Sequence, residues 1–461
     1  MTTAGRSASP TSPAPILFVH HSGIDVIRGS TRCLLDLLTH IDRTRFAPMV
    51  WCNKPVTRDA VRALDVPVHV AREWGEFHPL RPDRRWISEA LSLIREHGIR
   101  LMHADEFTQA SVLVPAARRA RIPLLAQLHQ VPTRDERLWS LLHQVDLAVG
   151  TTRACITGLV DDGFPDERAI VIYNGIDPGR LSQGDATTLR AALGISRHAV
   201  VFTLVGSLIH RKAIDVALRA FCRLRTRSGV RLPAARGGHP QADLSREARQ
   251  AGHDPAGDVG ASRVPATADA PLPPAHLLIC GSGPDRDTLE ALAISLGISD
   301  QTTFLGECPQ AGAILRDATD VLLAPSRDES FGLTLAEAGL FGVPAVASDI
   351  PAHVEVVGDD AGLLVPVEDA AALAAAMERV LADAALRRRL GDAARRRTAS
   401  MFLIDRYVRE FEATYTRLLE QPAAAFGLRR AVRWPRAYNR WIRDAVGRRL
   451  GWAPPRKSDS G

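Results

Sequence analysis

The sequence predicts an α/β protein of two domains, each a parallel sheet covered by helices, facing each other across a cleft. Three observations lead there. The 461 residues exceed what a single core usually fills. Strand-like apolar runs alternate with helical patterns along nearly the whole chain, as in parallel sheets covered on both faces. The run Asn174-Gly175-Ile176-Asp177-Pro178 supplies turn chemistry that splits this alternation in two. Hydrophobic content of 46% with 24% charged residues suits an ordinary globular chain. No stretch approaches the ~18 uncharged apolar residues that a membrane span needs.

Taken in order, residues 1–14 are rich in Ser, Thr, Pro and Ala and read as a disordered leader with no signal-peptide core. The first domain covers residues 15–178. Its first strand is expected at 16–20, and a helix follows over 30–41, with Leu34, Leu35, Leu38 and Ile41 on its apolar face. Further strands are expected at 47–51, 66–70, 100–103, 123–128, 145–149 and 169–172, with helices such as 87–97 and 108–119 between them. The second domain covers residues 179–400 and starts its own alternation at 200–205. A helix follows at about 214–226, and strands at 277–280, 302–305 and 321–323. Residues 228–274 interrupt this pattern. They are crowded with Gly, Pro, Ala, Asp and Arg, and too poor in large apolar residues to offset their chain entropy, so they read as a disordered surface insertion.

Charge is concentrated at one end. The chain carries a formal +6, but residues 421–461 hold ten Arg and Lys against Asp444 and Asp459, a surplus of eight, which leaves −2 on the other 420 residues. In this tail Tyr438, Trp441, Ile442 and Ala445 fall on one helical stripe among arginines. It reads as a basic amphipathic segment suited to an anionic membrane surface or, equally, to packing on the first domain. Nucleic acid is not expected as a partner, since no companion motif accompanies the charge. The six cysteines are scattered without a CxxC pair, which points to reduced thiols in the cytoplasm rather than a disulfide or zinc framework.

The most informative stretch is Ala324–Ser348. An apolar run at 321–323 turns through Pro325 and Ser326, and Glu329 and Glu337 follow with seven residues between them. Helical spacing is expected from Phe331 onward through Leu333, Ala336, Leu340 and Phe341, which puts Glu329 in a strand-to-helix loop and Glu337 about two turns into the helix. Such a loop at the carboxyl edge of a parallel sheet presents backbone N–H groups to an anion. Two acids beside an anion site suit a ligand that also carries neutral hydroxyls, such as a sugar or ribose. A second strand-to-helix loop, Val205 to Lys212, contains Gly206 and the adjacent cations Arg211 and Lys212. Arg can clamp phosphate oxygens in pairs, and Lys adds a compact charge.

Together these two stretches resemble the donor-binding segments of the retaining glycosyltransferases of family 4, the glycosyl transferases of group 1, whose fold is GT-B: two Rossmann-like domains around a central cleft. The Asn-Gly-Ile-Asp run resembles the end of that family's N-terminal domain. The resemblance covers about residues 15–420 apart from the insertion, and implies that residues 401–420 form a C-terminal helix returning toward the first domain. It implies transfer of a sugar from a nucleotide diphosphate sugar to an acceptor with retention of configuration, in the cytoplasm or peripherally on the inner face of the plasma membrane. Sugar, base and acceptor stay open: a polysaccharide, a glycolipid or a small molecule would each serve. In this reading Arg211 and Lys212 stabilise the leaving diphosphate, Glu329 holds sugar hydroxyls, Glu337 binds the ribose, and Phe331, Gly332 and Leu333 contribute backbone N–H groups.

Other positions are implied by the same resemblance. His129, ending the strand at 123–128, is expected to reach the donor sugar and phosphate. Gly29 and Ser30 stand where the family has two glycines near the donor phosphates, although Ser30 also suits a helix cap. His103, Asp105 and Glu106 are expected to line the acceptor side. Ala213 stands where the family commonly has Gly and is read as an ordinary helix former. Gly281-Ser282-Gly283-Pro284 lacks the third glycine of a dinucleotide fingerprint. Asp285 and Asp287 imitate an Asp-x-Asp metal motif but fall in the first turn of a helix, where carboxylates offset the dipole, so no metal or other cofactor is expected. Two other readings are another GT-B enzyme, such as a nucleotide-sugar epimerase, and a non-catalytic nucleotide-sugar-binding scaffold. The expected acids and cations are all present, which favours an enzyme.

Overall fold

The computed structural model describes residues 12–71, 84–227 and 272–421. The expectations for a disordered leader, for nearly all of the insertion and for the basic tail fall outside these residues, except that Ala14 already opens the first strand.

Seven strands build the first sheet: β1 (Ala14–His20), β2 (Phe46–Cys52), β3 (Val68–Val70), β4 (Leu101–Ala104), β5 (Leu124–Leu128), β6 (Leu147–Gly150) and β7 (Ala169–Val171). Their order is β3-β2-β1-β4-β5-β6-β7, and every neighbouring pair is parallel. Six strands build the second: β8 (Val200–Val205), β9 (Ala275–Cys280), β10 (Thr302–Gly306), β11 (Val321–Ala324), β12 (Ala345–Ser348) and β13 (Gly362–Val365). Their order is β10-β9-β8-β11-β12-β13, again all parallel. The central strands read as continuous apolar runs because helices bury both of their faces.

Strand order reverses direction between β1 and β4 in one sheet and between β8 and β11 in the other. At such a point the helices leave toward opposite faces and open a crevice beyond the carboxyl ends of the strands. Apart from His103, which lies within β4, the expected site residues lie in the loops and helices that follow these strands or their neighbour β5.

Two chain passages join the domains. Ile176 donates its N–H to the Phe402 carbonyl at 2.8 Å and accepts from Ile404 N–H at 3.0 Å. Beyond this crossing the helix Ile404–Leu419 packs on the first sheet, where Tyr407, Phe411 and Tyr415 enter a core with Phe18, Leu34 and Leu125. The helix also makes polar contacts with that domain. His103 Nδ1 is 2.8 Å from the Tyr415 hydroxyl, Gln127 Nε2 donates to the Tyr407 hydroxyl at 3.3 Å, and Glu412 pairs with Arg45 at 3.0 Å. No helix among the described residues is long and apolar enough to cross a membrane.

Candidate active site

The loops after β8 and β11 meet at one cluster of charge. Lys212 Nζ bonds one Glu329 carboxylate oxygen, and Arg211 Nη1 donates to the other at 3.0 Å. Arg211 Nη1 also reaches the Asp328 carbonyl at 3.0 Å. The backbone reinforces the junction, since Arg327 N–H donates to the Arg211 carbonyl at 2.8 Å. The Arg327 guanidinium in turn holds Asp215 at 2.9 and 3.0 Å, at the start of the helix that follows Lys212. Burial alone would raise the Glu329 carboxyl; Lys212 and then Arg211 outweigh it and hold the group below its ordinary range. Glu329 is therefore an ionised carboxylate under two cations, one unit of positive charge in excess. Gly206, Ser207, Lys212, Ser326, Glu329 and His353 all line the cavity beside it.

Two local conformations build this cavity. Gly281, at φ +150°, brings the loop after β9 so close that a Cβ there would fall 1.8 Å from the Gly206 carbonyl oxygen, so glycine is required for the loops to meet. Gly332, at φ +86°, precedes the helix Leu333–Leu340 in a left-handed conformation. Two expectations are corrected here. The helix begins at Leu333 rather than Phe331, so Glu337 is its fifth residue, little more than one turn in. Ala213 is not helical but left-handed, at φ +51°, between the turn His210–Lys212 and the helix that starts at Ile214. A glycine would take that conformation freely, so helix propensity is irrelevant at Ala213.

Phe331 points its ring away from the cavity into a cluster with Tyr173 and Phe402, 5.4 Å from the latter. Leu333 reaches across to the first domain, its Cδ1 3.1 Å from where a Cβ on Gly29 would stand. Glu337 also faces that domain. Arg180, just past the first chain crossing, lies 3.9 Å from Glu337 and 3.3 Å from Asp36 on the helix Gly29–His40. Burial raises the Glu337 carboxyl, with Arg180 opposing and Asp36 adding to the rise.

In the first domain Asp105 is central. Its Oδ2 lies 2.6 Å from His20 Nδ1, and its Oδ1 lies 3.5 Å from His129 Nε2. His20 Nε2 is 3.2 Å from the Thr31 hydroxyl. Burial would raise Asp105, but His129 and then His20 outweigh it and lower the group. Burial would likewise lower His129, yet Asp105 and then Glu106 hold it above its ordinary value. Ser30 faces the Glu106 carboxylate rather than capping its helix, whose N-cap is Arg28. The acceptor-lining expectation is corrected for two residues. His103 is fully buried between Tyr415 and Gln127, with burial pushing it down to about 4, and Asp105 is 1% exposed behind His129. Only Glu106 of the three is partly exposed.

Sequence reasoning missed a clamp between the domains. The helix Arg153–Asp161 offers its first N–H groups, those of Arg153 and Ala154, to the Glu355 carboxylate of the second domain at 2.9 and 3.3 Å. The Thr152 hydroxyl just before it donates to the Ser330 carbonyl at 2.8 Å, which ties the Glu329 loop to the first domain. The expected non-site of the Asp-x-Asp run also has a definite place: Asp285 precedes the helix Arg286–Ser295, and Arg286 pairs with Glu290 at 2.8 Å. No group of three or more His, Cys, Asp or Glu among the described residues could hold a metal ion.

Comparison with known proteins places this geometry. Residues 27–180 match the family described as Glycosyltransferase Family 4, and residues 264–397 match Glycosyl transferases group 1. A D-inositol 3-phosphate glycosyltransferase of Saccharomonospora viridis is 34% identical over 215 residues, 45% of this chain and 40% of that one. One from Geodermatophilus obscurus is 33% identical over 290 residues, 61% of this chain and 55% of that one. The first curated relatives are thus matched over only about 40% of their own length. Among solved structures, Anabaena HepE in complex with UDP superposes with a TM-score of 0.68 at 19% identity, covering 87% of this chain and all but 1% of that one. A glycosyltransferase from Rickettsia africae superposes with a TM-score of 0.70 at 13% identity, covering 89% of this chain and 100% of that one. The fold is GT-B, and the chain belongs to the glycosyl transferases of group 1.

Proposed function

We propose that this chain is a retaining glycosyltransferase that moves a sugar from a nucleotide diphosphate sugar to a hydroxyl acceptor. The observation that carries the reading is the convergence of Arg211, Lys212 and buried Glu329 at the switch point of the second sheet, with Leu333, four residues after Glu329, against Gly29 of the first domain. HepE has been solved with UDP and with UDP-glucose, which supports a nucleotide sugar as the donor. The family resemblance supports retention of configuration.

As the bond between sugar and phosphate breaks, negative charge grows on the diphosphate. Arg211 and Lys212 stand where that charge develops and are held there before the reaction by Glu329 and the Asp328 carbonyl, so no reorganisation is needed at that moment. Glu329 accepts hydrogen bonds from sugar hydroxyls, and Glu337 accepts from the ribose. His129, whose protonated form Asp105 favours, is the first domain's candidate to meet the donor's negative charge. Enclosing both substrates between the domains orients the acceptor hydroxyl and limits competition from water. The relatives named as D-inositol 3-phosphate glycosyltransferases make inositol 3-phosphate the first acceptor to test.

The deciding experiment incubates purified protein with a panel of nucleotide sugars and inositol 3-phosphate and reads the anomeric configuration of the product by NMR. Transfer with retention is expected. Inversion, or no release of nucleotide diphosphate with any donor, overturns the proposal.

A further inference from the structure

His353 lies on the helix Pro351–Val357 and lines the same cavity as Gly206, Lys212, Ser326 and Glu329, yet none of the roles assigned so far involves it. Its Nδ1 is 3.1 Å from the Ser348 carbonyl oxygen. A carbonyl can only accept, so Nδ1 carries the proton and the tautomer is fixed. The Ser348 hydroxyl meanwhile donates to the Ser326 carbonyl, which fastens the end of β12, and the imidazole with it, to the Glu329 loop. The other edge of the ring faces Gly332, where an added Cβ would come 3.2 Å from Cδ2 and 3.4 Å from Nε2. Glycine there leaves room for the imidazole beside the start of the Leu333–Leu340 helix. The ring's hydrogen bonds among the described residues, to the Ser348 carbonyl and hydroxyl oxygens, both run through Nδ1 and leave Nε2 without one. Burial, opposed chiefly by Glu329, holds the ring down to about 4, so at neutral pH Nε2 is a bare lone pair. The cavity thus contains an acceptor-only nitrogen beside a carboxylate, while the nearby cations are already engaged by that carboxylate.

We propose that His353 is a further donor-site residue whose Nε2 accepts a hydrogen bond from a hydroxyl of the transferred sugar. With Glu329 it makes that wall of the site rich in acceptors, so the site takes an uncharged, hydroxylated sugar and disfavours a sugar carboxylate. The inference rests on the donor reading above and deepens it.

The test is calorimetric and needs no acceptor. Wild-type protein is titrated with UDP-, GDP-, ADP- and dTDP-glucose and with the four nucleotide diphosphates, and the tightest glucose nucleotide is carried forward. His353→Leu is expected to weaken that glucose nucleotide three- to ten-fold, the size of one neutral hydrogen bond, and to leave its nucleotide diphosphate unchanged. His353→Gln, whose amide oxygen can approach the position of Nε2, is expected to restore most of the loss. It also serves as the readout if the leucine variant does not fold. Among monodeoxy-glucose nucleotides, one is expected to bind wild type more weakly by the same factor and His353→Leu no more weakly than the parent glucose nucleotide. The matching glucuronate nucleotide is expected to bind wild type at least ten-fold more weakly than the glucose nucleotide. Equal affinity for glucose and glucuronate donors, or parallel loss of sugar nucleotide and nucleotide diphosphate in the variants, overturns the inference while the donor reading stands. If wild type binds none of the eight nucleotides, the donor reading falls and takes this one with it.

Discussion

Lys212 offers the sharpest test of the charge cluster. Replacing it by Met keeps the stem, which lies against Gly206, and removes only the ammonium, whose partner is Glu329. Glu329 keeps Arg211 at 3.0 Å, so the carboxylate is not abandoned. Lys212 is itself 22% exposed, so the stability lost should be about 1 kcal/mol, well short of the 3–5 kcal/mol of a fully buried broken pair. The effect on chemistry should be larger. A charge-assisted hydrogen bond is worth ~1.5–3 kcal/mol, roughly ten- to a hundred-fold in rate, and it acts on charge that grows only as the sugar departs. Steady-state kinetics against the preferred nucleotide sugar should show kcat falling by about that factor, with the donor KM rising less. Thermal melts should show a folded protein with a slightly lower Tm. A ten-fold rise in KM at unchanged kcat would mean that Lys212 merely holds the ground state, and would refute the argument.

Glu337→Gln should weaken donor and nucleotide diphosphate together, whereas Glu329→Gln should lower kcat and spare the nucleotide diphosphate; binding isotherms with the reverse pattern would sink the assignment of roles. Asp105→Asn removes the group that raises His129, so the protonated imidazole is lost at a lower pH, and the alkaline limb of the kcat/KM profile should move down. His20 and Glu106, which also face Asp105 or His129, remain in that variant, and an unmoved profile would count against His129 as a charged site residue. Activity should survive EDTA, and Asn at both Asp285 and Asp287 should leave turnover within a few-fold; loss on chelation with recovery in manganese would contradict this. Lowering pH should cost stability through Glu329, because a carboxyl depressed in the folded state stabilises above its unfolded value and ceases to do so as pH falls through the folded one. Urea melts between pH 7 and 3 should show a shallower decline for Glu329→Gln than for wild type.

How much of this was legible depended on the range over which each feature is written. The strands were readable because parallel strands buried on both faces are short apolar runs, and Gly206, Lys212 and Glu329 because each lies within a few residues of a strand end. Ala213 misled because its propensity was read for a helix interior, while the chain requires a left-handed joint there. Glu337 was placed in the right helix, but its neighbours Asp36 and Arg180 were invisible, Asp36 and Arg180 being 144 residues apart in sequence. The Glu355 contact with the helix start at Arg153 spans 202 residues, and no local pattern announces it. His103 and Asp105 looked like site residues because they end a strand at the right edge, but the aromatic face of the helix Ile404–Leu419 covers one and His129 stands in front of the other.

The return of the helix Ile404–Leu419 to the first sheet has a consequence for how the chain is made. The first domain's sheet is complete once Val171 has been synthesised, but one of its faces is roofed by Tyr407, Phe411 and Tyr415. Until those residues leave the ribosome, more than two hundred positions later, His103 and Gln127 lack their tyrosine partners and Phe18 is uncovered. A nascent chain ordinarily folds its domains in the order they emerge. Here the first to appear is the last to be finished, and a transcript cut short before codon 404 would leave the first domain with one face of its sheet unroofed.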